Sequence, residues 1–206
     1  GKRKMQGMTA FPCTSILSYD EHGWAVLDRA VGSETLRKVL QNYYTNGVFV
    51  VKDSTSLQVT APASGGGYVQ VKPGSCLING ATGYIDEQVE LDLTAGDTSL
   101  PRIDTVVARL NDNSDYRNIY LDILIGTPAS TPVAPTLTQT DSIWEIGLAN
   151  IYRSANSTVV TPSNITDTRL DTTRCGPVTA IQEIDTEALM QQLNAYYDEF
   201  VKQCED

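Results

Sequence analysis

The chain has 206 residues, 41% hydrophobic and 19% charged, a composition that builds a packed core instead of a disordered polymer. Its 25 acidic and 15 basic residues give a net charge of −10, which argues against a nucleic-acid surface built on clustered lysine and arginine. No apolar run approaches the roughly 18 residues of a membrane span, and no apolar core follows the basic start, so neither membrane insertion nor a secretory signal is expected.

The first element in chain order is a basic cluster, Lys2-Arg3-Lys4, read as an arm. Residues 19–23 are polar and turn-like. His22, the single histidine, lies beside Asp20 and Glu21, but neighbours on an extended loop do not converge on one ion. Residues 33–44 predict a helix. Ser33 can cap it, Glu34 complements its dipole, and Leu36, Val39, Leu40 and Tyr43 recur at helical spacing, which predicts core packing against a sheet. Asn46-Gly47 ends it.

From Val48 the period becomes two. Short strands are expected at 48–51, 57–60, 68–71 and 76–79, with Asn79-Gly80 as a hairpin turn. Ser64-Gly65-Gly66-Gly67 lacks the Lys and Ser/Thr of a phosphate cradle and precedes a strand, so it reads as a loop. Residues 84–93 read as one alternating strand. Its acidic residues Asp86, Glu87, Glu90 and Asp92 could suggest a carboxylate pair, but Asp86, Glu90 and Asp92 share one strand's outward face, which is more simply solvated. With one histidine, no G-x-S-x-G and no metal spacing, no catalytic, metal or cofactor residue is assigned. Cys13, Cys76, Cys175 and Cys204 contain no C-x-x-C pair and read as free thiols.

Three further strands follow. Residues 103–110 are apolar on both faces, as in a central strand. Residues 118–125 alternate, with Ile119, Leu121, Ile123 and Ile125 on one face, and 144–152 alternate again. Asn111-Asp112-Asn113-Ser114-Asp115 joins the first two; Tyr116 stands where a calcium loop needs glycine, which favours a turn. Residues 126–140, with Pro128, Pro132 and Pro135, should cross the surface outside the ladder. Tyr68, Tyr84, Tyr116, Tyr120, Trp144 and Tyr152 either pack across strands or include a sugar-stacking platform.

This stretch also carries a resemblance. It reads PRID-x-VV-x-R-L at 101–110, GTP at 126–128, a proline-rich crossing ending in Leu137-Thr138, then E-x-x-LA-x-I at 145–151 and I-T-D-x-R at 165–169. In that order it resembles tail structural proteins of tailed phages and prophages of Gram-positive bacteria. The resemblance extends upstream to Asn46-Gly47-Val48-Phe49, Leu57-Gln58-Val59-Thr60 and residues 71–80, and downstream to Cys175-Gly176-Pro177-Val178-Thr179. It implies a non-enzymatic baseplate or tail-fibre component of the virion, made in the bacterial cytoplasm. Implied partners are other tail proteins and further copies of the chain, with a trimer favoured.

Residues 179–204 predict a long C-terminal helix. Leu189, Leu193, Tyr196 and Phe200 are spaced four, three and four, a heptad seam that makes them the candidate oligomerisation residues. At 1.5 Å per residue a helix of ~25 residues reaches nearly 40 Å, enough for a stalk. The expected fold is α+β and mainly antiparallel β: a β-sandwich or partly closed barrel with an N-terminal helix and a long C-terminal helix. Residues 1–47 form the arm and first helix, 48–171 the β domain and 172–206 the last helix. Two other functions stay open: a carbohydrate-binding adhesin module for host cell-wall polysaccharide, and a tail-associated cell-wall hydrolase.

Overall fold

A computed structural model of the chain describes residues 16–27, 33–50, 54–181 and 194–195. The first strands, β1 (Ile16–Tyr19) and β2 (Ala25–Leu27), form an antiparallel hairpin. Asp20 closes it by accepting the amides of His22 and Trp24 on Oδ1. Helix α1 (Ser33–Tyr43) follows. Next come β3 (Gly47–Val48), β4 (Val59–Thr60), β5 (Tyr68–Val71), β6 (Gly74–Ile78), β7 (Ala81–Ile85) and β8 (Val89–Asp92). The longest strands are β9 (Arg102–Asn111), β10 (Asn118–Leu124) and β11 (Ile143–Arg153), and β12 (Ile165–Asp167) is short.

Every named strand pair is antiparallel. One sheet has the order β10-β9-β11-β12, and two smaller sheets run β3-β6-β7 and β4-β5-β8. Strand β9 sits between β10 and β11, as apolar residues on both of its faces predict. All three sheets contribute to one core. Val106, Ala108 and Leu110 of β9 meet Ile146, Leu148 and Ile151 of β11, together with Val48, Val59, Val69, Val71, Cys76 and Ile78. Burying such side chains contributes about 1.5–3 kcal/mol each, which makes this cluster the main source of stability.

The expected fold needs correction. Among the described residues the strands lie in separate open sheets, so there is no closed barrel. Helix there is limited to the short α1, a 3-10 turn at Pro162–Asn164 and the two residues 194–195, so the described fold has no long C-terminal helix. Residues 182–193 and 196–206, with Leu189, Leu193, Tyr196 and Phe200, lie outside the described residues. Helix α1 has no buried residue; Leu36 is 48% and Tyr43 62% exposed, so its apolar stripe is not the core element expected. The single strand expected at 84–93 is two, β7 and β8, in different sheets. Alternation from Ile85 through Val89 would turn Glu87 toward the core, and the chain bends there instead.

Two long-range ties close the body. Val48 pairs with Cys76 on one side and bridges Pro177 on the other, its amide donating to the Gly176 carbonyl at 3.0 Å. The amides of Thr45 and Ile181 donate to the carbonyls of Thr179 and Tyr43, so residues 176–181 run beside β3 and the end of α1. The described body therefore extends through Ile181.

Candidate functional site

The four-stranded sheet turns its even-numbered β9 residues toward the core and its odd-numbered ones outward. On the outer face, register places Tyr120 of β10 opposite Arg109 of β9, and Arg109 opposite Glu145 of β11. The Arg109 guanidinium lies 5.8 Å from the centre of the Tyr120 ring, a cation–π distance. Its Nε donates to Glu145 Oε1 at 2.7 Å, and Nη1 pairs with Asp122 Oδ2. Tyr116, near the end of the turn that leads into β10, stacks obliquely on Tyr120 at 6.2 Å between ring centres.

Electrostatics bind this row together. Burial works against the Arg109 charge, but Tyr120, Glu145 and Asp122 outweigh it and raise the pKa. Arg109, and then the Asn111 side chain, lower that of the Tyr120 phenol. Glu145 is 1% exposed and is held from its far side as well, because Oε2 accepts the Thr138 amide at 2.6 Å. The proline-rich crossing is thereby fastened along the free part of β11: Glu145 N donates to Thr138 O, and Arg174 Nη2 donates to Pro135 O. What remains accessible is a tyrosine pair with a guanidinium and a carboxylate at its edge. Such a surface can stack on a flat ring and hydrogen-bond to hydroxyls.

At the other end of the sheet the charged residues face inward. Arg102 donates from Nε and Nη2 to the two oxygens of Asp104, and Asp104 Oδ1 also accepts the Gly126 amide at 2.9 Å. Gly126 has no room for a side chain, since a Cβ would lie 2.0 Å from the Ile103 carbonyl. The start of the proline-rich crossing is thus pinned to the base of β9. Arg153, opposite Arg102, is fully buried; its Nε is 3.8 Å from Asp104 and its Nη2 donates to Thr94 O at 2.7 Å. Burial lowers its pKa, and Arg102 adds to the effect. A third clamp joins Arg169 to both oxygens of Asp167 and to the carbonyls of Ser54 and Ser56, tying the strand end at β12 to the approach of β4. Burial acts against the Asp167 charge, and Arg169 overcomes it to hold the carboxyl below its usual range.

The residues weighed from sequence fall out as follows. Asp86, Glu87, Glu90 and Asp92 are exposed, and Glu90 accepts from Gln70 Nε2. His22 is exposed, and Asp20 beside it is engaged in its own turn. Residues 112–117 form the β9–β10 turn, with Asn113 O accepting the amides of Tyr116 and Arg117. Of the six aromatic residues only Tyr116 and Tyr120 come together; Tyr84 belongs to another sheet and Trp144 packs on the core. Cys76 and Cys175 are buried free thiols, pushed up to about 11 and about 12 by burial. The ion pairs of Arg109, Arg153 and Arg169 were missed in the sequence. The signal was present only as charged residues inside otherwise apolar strands, and their partners depend on register.

Comparison of the chain with protein-family models, with curated proteins and with solved structures finds no match.

Proposed function

We propose that this chain is a non-enzymatic structural module of a phage tail baseplate or fibre, a β-sandwich-like body that holds or links the host-adhesion apparatus. One observation carries the reading beyond the ordered motifs: the charged residues of those motifs are used as clamps. Arg102 and Asp104 of PRID pin Gly126, the glycine of GTP. Asp167 and Arg169 of I-T-D-x-R tie β12 to residues 54–56. Glu145 of E-x-x-LA-x-I holds the end of the proline-rich crossing. Carboxylates spent on arginines and backbone amides leave no convergent acid–base pair at the motif positions. Immunogold labelling of phage particles induced from the strain that encodes the chain tests this. Label at the tail tip is the expected result; protein absent from purified particles would defeat it.

A second reading, a carbohydrate-binding adhesin module, draws on the Tyr116–Tyr120 pair with Arg109 beside it. Calorimetric titration with host wall polysaccharide distinguishes it. Saturable binding that Tyr116→Ala abolishes would place the adhesin first.

A further inference from the structure

Strands β8 and β10 each end a sheet, and among the described residues neither has a named strand partner on its outer side. The two edges face one another. Between residues 121–125 on one wall and residues 90–94 on the other lies an open groove of about 340 Å³. At one end the cleft is shut where Gly83 of β7 meets Ile119; a Cβ there would come 2.7 Å from the Ile119 side chain. Beside β8 it is open. Leu91, Leu121 and Ile123 are half-buried in its walls, and Ile125 is exposed at the mouth.

The backbone of β10 is prepared for a partner. The Ile123 amide donates to Asp122 Oδ1 of the preceding residue at 2.8 Å, and the Ile119 amide does the same with Asn118 Oδ1. Alternation along an antiparallel strand points the Leu121 amide the same way, into the groove. Short side-chain acceptors of this kind contribute little net stability, and a main-chain carbonyl from an added strand replaces them without loss. Charge then selects the strand. Glu90 and Asp92 are exposed on the β8 wall, on a chain of net charge −10. A second copy of the chain brings the same net charge to the same place.

We infer that the groove between β8 and β10 is a docking slot for an extended, cationic segment of another polypeptide, added as a strand to the β10 edge. Main-chain hydrogen bonds supply the affinity. Lysine or arginine side chains directed at Glu90 and Asp92 supply the selectivity, and alternate apolar residues cover Leu91, Leu121 and Ile123.

The test uses the full chain and two blocked hexapeptides, one alternating lysine with valine and one alternating glutamate with valine. Amide chemical shifts are followed by NMR during titration. The lysine peptide is expected to shift Leu121, Ile123, Glu90 and Leu91 saturably. Its affinity should fall at least about tenfold when Glu90→Lys and Asp92→Lys are combined, because both side chains are solvated and their reversal leaves the fold intact. Three results would overturn the inference: no saturable shift, equal binding of the glutamate peptide, or a footprint elsewhere. Shifts at these residues on raising the concentration of the chain alone would make a second copy the occupant and also reject it.

Discussion

Arg102 and Arg153 stand opposite one another at the base of the four-stranded sheet and draw on the one carboxylate of Asp104. Two cations and one anion out of water are not equivalent partners. Removing the anion strands both guanidinium groups, whereas removing Arg153 takes away a charge that burial already disfavours. Asp104→Asn should therefore cost about 3–5 kcal/mol, in the range for breaking a buried pair. Arg153→Met, which keeps the apolar stem, should cost much less. Urea denaturation of the two variants measures the difference; equal losses would show that Arg153 is the better-paired cation. The sequence displays PRID plainly, because a charged pair inside an apolar run is conspicuous. It does not display Arg153 as part of the same cluster. That residue closes a strand and reads as the first polar position after it until the β9–β11 register sets it against Arg102.

At the level of elements, the β6–β7 hairpin was legible and α1 only half so. Asn79 and Gly80 adopt φ of 47° and 72°, the left-handed pair that the dipeptide predicts for a two-residue turn. The turn then presses on the helix, since a Cβ on Gly80 would lie 2.1 Å from the Arg37 carbonyl, and Arg37 Nε donates to Asn79 O. Gly80→Ala should accordingly lose more than the ~1–2 kcal/mol of a left-handed non-glycine residue, because the helix must also move. Gly23→Ala is the control: its φ is 80°, but nothing lies within 4 Å, so only the conformational cost remains. Thermal unfolding of both, with hydrogen exchange over residues 33–43, separates the two contributions. Equal destabilisation would deny the turn its role in seating α1. The helical period itself predicted where α1 forms. It could not say that the stripe would stay largely exposed, because an amphipathic pattern names a face and not its neighbour. Strand β8 was hidden for a different reason: its residues alternate in phase with β7 everywhere except Glu87, and one out-of-phase carboxylate is where the chain changes sheets.

Across the whole molecule, the antiparallel β architecture followed from short alternating runs separated by turn residues. The pairing order did not, since order depends on contacts far apart in sequence. Strand β3 shows how far. It is two residues long, lies between Cys76 and Pro177, and is flanked by the Thr45–Thr179 hydrogen bond, which spans 134 residues. Gly47, its first residue, fits only because it lacks a side chain; a Cβ would sit 2.2 Å from the Gly176 carbonyl. Synthesis on a ribosome therefore makes one half of this closure long before the other. At ~5–20 residues per second the interval is roughly 7–27 s, during which Val48 has no neighbour on that side. The nascent chain must carry an incomplete core until residues 176–179 have been made, and this side of the body can close only then.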